Sequence, residues 1–431
     1  MLTSFSVGNF KSYREIKTIN LLASADNTYE DTNLILQQLA SGQRERSTRV
    51  LKSSAIYGAN ASGKSNLLEA IRFMKFFSEN SSKNMQASEK IPVDRFILDN
   101  KSKESPAFFQ IQFFFEAIPF RYGFEITSDQ VISEWLFYSP KGKEAILFTR
   151  SKDSIEIGSQ FPEGRKLEDK TRKNALFLSV CAQFNGELSN KVIQWFSNCN
   201  IISGINDKSY IQFTIDRLGD PKFIKRITNL LQVADLGITD ITYSKQLLDM
   251  DELPLEIRDT LMKNLGKDID DESIKKHKAI HNLFSFIHKT SSETIGFKLE
   301  SESQGTQKLF ALAGPIIDTL NTGKTLIVDE FDTRLHPNIT RFLIGLFNSK
   351  DQNKKNAQLI FATHDTNLLS NRFFRRDQIW FTEKNKDNES DLYPLSDIKV
   401  RKDATFNKDY IQGKYGAIPY ISTSSLNIVE S

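Results

Sequence analysis

The residues most able to do chemistry form the run Gly58-Ala59-Asn60-Ala61-Ser62-Gly63-Lys64-Ser65. A glycine-bounded turn of this kind brings several backbone N–H groups to one spot, where Lys64 adds a cation and Ser65 a hydroxyl ligand. That set suits a polyphosphate whose terminal phosphates meet Lys64 and whose Mg²⁺ takes the Ser65 oxygen. The flanks agree. Ser54-Ala55-Ile56-Tyr57 predicts a buried strand, and Asn66 to Met74 carries apolar residues at helical spacing. Strand, turn and helix start then aim a helix dipole at the anion. A chance glycine-rich turn is the competing reading, and a fully specified motif between fitting flanks outweighs it. The expectation is a nucleoside triphosphate site.

Three later clusters could complete such a site. Leu326-Ile327-Val328 predicts an apolar strand ending in Asp329 and Glu330. In a nucleotide hydrolase the first carboxylate holds Mg²⁺ through water, and the second polarises the attacking water. An acidic strand end at the surface is the plainer alternative. Glu302-Ser303-Gln304-Gly305 opens a helix, where a hydroxyl, N–H groups and a dipole can face a phosphate. One nucleotide needs a single phosphate loop from its own subunit, so this second helix start makes most sense over a partner subunit's nucleotide. Taken alone, an ordinary capped helix explains it as well. The strand Leu359 to Thr363 ends in His364-Asp365, placing an imidazole where it can meet a γ-phosphate or the water. Most lone histidines are structural; the order of motifs reverses that preference here.

The elements that must position these residues are readable in outline. Leu2 to Leu21 predicts strands around a polar turn, and a short helix is expected near Leu34–Leu39. Ala107–Glu116, Phe120–Thr127, Gln130–Tyr138 and Ala145–Thr149 alternate as in an antiparallel meander. The 33 phenylalanines, many of them in this meander, predict ring packing in a core rather than base stacking. Glu187–Ser197, Pro221–Ala234, Leu255–Leu265 and Ile274–Phe286 read as helices, none long enough in heptads for a coiled coil. The 431 residues allow two or three domains, and 57 basic against 54 acidic residues give no global nucleic-acid signature. Two cysteines, no signal-like N-terminus and no membrane-length apolar run predict a soluble protein of the cytoplasm. Local basic runs, and the pairs Asp249/Asp251 and Asp268/Asp270/Asp271, read as solvated surface.

The motif order resembles the ABC-type ATPase heads of the SMC, Rad-fifty and RecF group. More closely, the chain resembles the compact ABC-type ATPases of bacterial anti-phage defence and abortive-infection systems, relatives of the ATPase half of the overcoming-lysogenization-defect nucleases. The matching stretches are Val7 to Tyr13, Tyr57 to Asn66, Glu302 to Gln307, Asp329 to Asp332 with Leu335-His336-Pro337, Thr363-His364-Asp365, and Gly413 to Pro419.

The resemblance implies an α/β fold. It would be an ABC-type head with a mixed sheet around the phosphate loop, an antiparallel β subdomain and an inserted α-helical subdomain. Residues 1–184 would form the first lobe, 185–290 the helical insertion, 291–395 the second lobe and 396–431 a tail. It implies ATP and Mg²⁺ as cofactors, with ATP sandwiched between two copies. Asn9, Lys11 and Ser12 would lie on the ribose and adenine side, and Asn60, Ala61, Ser62, Gly63, Lys64, Ser65 and Asn66 along the phosphates. Ser303 and Gly305 would reach the γ-phosphate in trans, Asp332 would couple the two sites, and His364 would be the switch. Glu330 would be the catalytic base. Mg²⁺ would see Ser65, Asp329 and a glutamine, for which Gln183 is the candidate at the end of an apolar strand, Leu176 to Val180. The chain departs in having Ser-Gln-Gly where the family has Ser-Gly-Gly, and it lacks coiled-coil arms and a nuclease module. The function implied is an ATPase regulating a separate effector, a nuclease or toxin, in phage defence. A RecF-like ATPase bound to DNA and a nucleotide-gated scaffold with little turnover are the alternatives.

Overall fold

The computed structural model describes residues 1–38, 47–234, 236–249, 278–401 and 404–420. They fall into two compact units: residues 1–205 with 319–431, and residues 206–318.

The first unit is built on two large sheets and also holds a two-stranded one, Leu34–Gln38 with Ser47–Leu51. Its six-stranded sheet runs Cys199–Ser203, Thr325–Asp329, Gln358–Ala362, Ser53–Gly58, Ile379–Lys384 and Ser390–Pro394. The first five are parallel and only the last is antiparallel. The central strands Thr325–Asp329, Gln358–Ala362 and Ser53–Gly58 are buried nearly throughout, as strands covered on both faces must be. The seven-stranded sheet is antiparallel throughout, in the order Ser154–Ile157, Ala145–Ser151, Val131–Tyr138, Ile118–Ile126, Ala107–Phe115, Leu2–Gly8 and Lys17–Asn20. Alternation along Ala107–Phe115 buries Phe109, Ile111 and Phe113.

The helix Lys64–Asn80 lays its apolar side on that aromatic face. The Phe73 ring lies 5.1 Å from Phe109, and the Phe77 ring 5.6 Å from Phe124. The phenylalanines are thus core, as their alternation implies. Gln358 joins the two sheets: its fully buried amide accepts from Leu2 N–H (2.6 Å) and donates to Leu2 O and Leu51 O (both 3.0 Å). A buried amide satisfied on both ends fixes register where apolar packing alone would allow slippage.

The second unit holds the helices Lys208–Arg217 and Pro221–Val233 and most of the helix Gln304–Thr322. Its three-stranded antiparallel sheet is Ile238–Asp249, Lys278–Lys289 and Thr294–Phe297. Pro315 sits inside the long helix and has no N–H for the Ala311 carbonyl one turn back. The buried Thr214 hydroxyl donates to that carbonyl instead, at 2.9 Å.

Several sequence expectations change here. Ile274–Phe286, expected as helix, is the strand Lys278–Lys289 from Lys278 onward, because Phe284 and Phe286 alternate onto one face against Phe310. The helix near Leu34–Leu39 is the strand Leu34–Gln38, preceded by the short helix Glu30–Asn33. Leu176 to Val180, expected as strand, lies at the helix Phe177–Gln183. A short apolar run fits either element. Glu134 decides it: the buried carboxylate accepts from Phe177 N–H (2.6 Å) and Leu178 N–H (3.0 Å), satisfying the donors of a helix start. Leu255–Leu265 and Asp251, Asp268, Asp270 and Asp271 lie outside the described residues. Among the described residues, no helix is long and apolar enough to cross a membrane.

Candidate nucleotide site

Because Ser53–Gly58, Thr325–Asp329 and Gln358–Ala362 are parallel neighbours, their carboxyl ends share one edge of the sheet. That edge is where open α/β sheets place ligands. It carries the phosphate loop after Gly58, the carboxylates Asp329 and Glu330, and Thr363-His364.

The loop turns through Ala61 (φ 60°) and Gly63 (φ 119°) into the helix Lys64–Asn80. Gly63 is needed twice over: its φ is left-handed, and a Cβ there would run into the Ser390 side chain. Lys64, buried, donates from Nζ to Gly58 O (2.8 Å) and Ala59 O (3.0 Å). Burial lowers its pKa to about 8, against the opposing pull of Asp329, Glu330 and Asp332. His364 is also lowered, by burial first and then by Lys64, with Asp332, Glu330 and Asp329 acting the other way. Lys64, Asp329, Glu330, Asp332 and His364 therefore share one electrostatic neighbourhood.

Further contacts lock it. Asp332 Oδ1 accepts from His364 N–H at 3.4 Å. Glu330 takes a left-handed φ of 51°, and its Oε2 accepts from the Thr333 hydroxyl at 3.3 Å. Gly204 N–H donates to Asp329 O at 2.6 Å, and a Cβ on Gly204 would collide with the Asp329 and Glu330 carbonyls.

The residues present fit a Mg²⁺ ion. Asp329 Oδ1 is buried without a hydrogen-bond partner among the described residues, which is costly for a carboxylate unless a cation or its water faces it. Ser65 opens the helix with its side chain exposed. No group of three or more acidic, His or Cys ligands occurs among the described residues. Mg²⁺ needs only one or two protein oxygens, the remaining positions going to water and phosphate.

Other expected residues serve the loop from behind. Asn66 Nδ2 donates to Ser12 Oγ (2.7 Å), Ser12 Oγ lies 2.7 Å from Ser390 Oγ, and Ser390 Oγ lies 2.6 Å from Ser62 O. A carbonyl only accepts, so the Ser390 proton goes to Ser62 O and the Ser12 proton to Ser390. The Ser62 hydroxyl is engaged with Thr382 Oγ1 at 2.6 Å, and Tyr13 OH donates to Gly63 O at 3.1 Å. Asn9, buried, is taken up elsewhere: its Nδ2 donates to the carbonyls of Ser102, Ser105 and Pro106, and its Oδ1 accepts from Phe96 N–H. Lys11 Nζ stands 4.0 Å from Asp94. Asn60 and Ala61 are exposed on the loop, and Gln183 is exposed at the end of its helix. Ser303 and Gly305 belong to the second unit. There Ser303, exposed, caps the helix Gln304–Thr322, its Oγ accepting from Thr306 N–H at 3.1 Å.

Sequence reasoning missed Gly204, Thr382 and Ser390 as parts of this edge. The apolar run Ile379-Trp380-Phe381 was the available signal for the strand that carries Thr382.

No curated protein sequence matches the chain. Among solved structures it is similar to the SMC head bound to the C-winged helix domain of ScpA, with a TM-score of 0.41 and 14% identity over 91% of this chain and 97% of that one. It is similar also to the recombination mediator protein RecF, with a TM-score of 0.33 and 14% identity over 91% and 98% of the two chains. A third is the Smc head domain with an extended coiled coil bound to the C-terminal domain of ScpA, from Pyrococcus furiosus, with a TM-score of 0.33 and 12% identity over 89% and 98%. The family model described as "AAA domain, putative AbiEii toxin, Type IV TA system" matches residues 53–370. That span runs from the strand entering the phosphate loop to just past His364, the stretch whose strand ends build the site, and the chain belongs to this AAA-domain family.

Proposed function

We propose that the chain binds ATP with Mg²⁺, closes on it as a pair of copies and hydrolyses it. We propose further that this cycle controls a separately encoded effector, a nuclease or toxin, in anti-phage defence. One observation carries the catalytic part: Lys64, Asp329, Glu330, Asp332 and His364 act on one another electrostatically at one sheet edge, with Asp329 Oδ1 buried and unpartnered among the described residues.

The roles follow from that arrangement. Loop N–H groups and Lys64 hold the phosphates. Asp329 and Ser65 would hold Mg²⁺, which when bound neutralises phosphate charge. Glu330, seated by its left-handed backbone and by Thr333, takes the proton of the attacking water. His364, with its pKa lowered, is neutral at physiological pH and can accept from the water or donate to the γ-phosphate. Ser303 and Gly305 serve the partner's nucleotide. The family description, which names a toxin of a Type IV TA system, supports a setting in which nucleotide state is coupled to toxicity.

The test is steady-state phosphate release by wild type, Lys64→Ala and Glu330→Gln. Turnover by wild type, about 10²–10³-fold less by Glu330→Gln with ATP still bound, and no binding by Lys64→Ala are expected. Turnover by Glu330→Gln at the wild-type rate removes Glu330 from its role. A wild-type rate no higher than that of Lys64→Ala overturns the hydrolytic reading.

A further inference from the structure

In the second unit the turn that presents Ser303 is held by a side-chain pair. His288, on the strand Lys278–Lys289, meets Glu302 with Nε2 2.7 Å from Oε1. An ionised carboxylate only accepts, so the ring N–H donates. The Glu302 side chain is only 9% exposed. A carboxylate so enclosed needs its partner, so where Glu302 sits depends on where His288 sits. The Phe297 ring stands perpendicular to the imidazole at 5.1 Å and fixes its plane.

Three further bonds carry this fixation into the neighbouring residue. Glu302 O accepts from Gln307 Nε2 at 2.8 Å, tying the turn back onto its own helix. Ser303 Oγ accepts from Thr306 N–H and lies 2.9 Å from Thr306 Oγ1. The strand grips the helix at a second point, where Phe284 and Phe286 pack on Phe310 at 5.5 and 5.1 Å. Glu302 and Phe310 thus join the strand to the helix at two points.

We infer that His288 is a positioning residue for the Ser303 turn: through Glu302 it sets the geometry in which one copy offers Ser303 to the nucleotide of another. The inference rests on the proposed trans role of Ser303, and it makes the strand Lys278–Lys289 the element through which that contact is tuned.

The experiment measures ATP-driven dimerisation by analytical ultracentrifugation in a Glu330→Gln background, with ATP affinity measured separately at dilutions where the chain is monomeric. His288→Ala should weaken dimerisation by about tenfold or more, while ATP affinity of the monomer stays within about twofold. His288→Gln, which keeps an N–H donor for Glu302, should recover most of the loss. Circular dichroism melts of both variants show whether the second unit stays folded. Unchanged dimerisation of His288→Ala overturns the inference, and so do equal losses in His288→Ala and His288→Gln. Ser303→Arg separates the two layers. If it leaves ATP-driven dimers intact, the trans reading fails; if it abolishes them while His288→Ala does not weaken them, only the role of His288 fails.

Discussion

Lys64 is the residue of the sheet edge whose charge burial weakens most plainly. Burial brings its pKa down to about 8, so its charge is half lost at a mildly alkaline pH. A bound polyphosphate favours the charged form, and binding then takes up a proton wherever free Lys64 is neutral. ATP affinity should therefore be flat below pH 8 and fall above it, by up to about tenfold per pH unit. Lys64→Arg, which keeps its charge throughout, should bind with no such slope. Calorimetric titration from pH 7 to 9.5 checks both, and a wild-type profile as flat as that of the arginine variant contradicts the assignment. Gly204 is the other single residue with a sharp consequence. A methyl group there meets two backbone carbonyls that cannot swing aside, those of Asp329 and Glu330. Gly204→Ala should cost about 1–3 kcal/mol in stability and lower turnover more than ATP binding, since it displaces the strand end that bears both carboxylates.

Among the elements, the long helix Gln304–Thr322 shows how a local conflict is resolved by a distant side chain. Pro315 removes one backbone donor, and Thr214 replaces it at Ala311 O. Thr214→Val keeps the shape and deletes the hydroxyl, so it should cost about 1–3 kcal/mol in urea melts. In a Pro315→Ala background the backbone N–H returns, and the same substitution should cost less than about 1 kcal/mol. Equal costs in the two backgrounds would exclude the compensation. This pairing also shows why part of the fold was legible and part was not. The strands around Gly58, Asp329 and Ala362 are continuous apolar runs cut off by chemistry-bearing residues, so both the elements and their ends read directly from the chain. Lys278–Lys289 carries apolar residues compatible with either period, and only pairing with Ile238–Asp249 and contact with Phe310 select a strand. Asn9 and Ser12 stand in the stretch that suggested nucleotide contacts, yet their polar atoms are committed to the loop at Ser102–Pro106 and to Ser390. Motif spacing identifies which residues gather near a site; the protein atoms each of them engages follow only from the fold. Ser390 and Thr382 gave no motif at all, because their role follows from sheet order.

At the scale of the whole molecule, the proposed division of labour between copies has a quantitative signature. Lys64 and the carboxylates lie in one compact unit, and Ser303 lies in the other. If Ser303 serves the partner's nucleotide, each site of a pair takes its phosphate loop from one copy and its Ser303 from the other. Lys64→Ala and Ser303→Arg should then each be inactive alone. Mixed at equal concentration, they should regain activity only through pairs with one copy of each variant, in which one site is intact and the other doubly damaged. Phosphate release should recover to no more than about half of the wild-type rate if the two sites turn over independently, and to less if both must be intact together. Recovery should grow with total protein concentration, as pairing follows mass action. Two inactive variants that stay inactive in every mixture, while each still binds the other, would overturn the trans reading unless both sites must fire together.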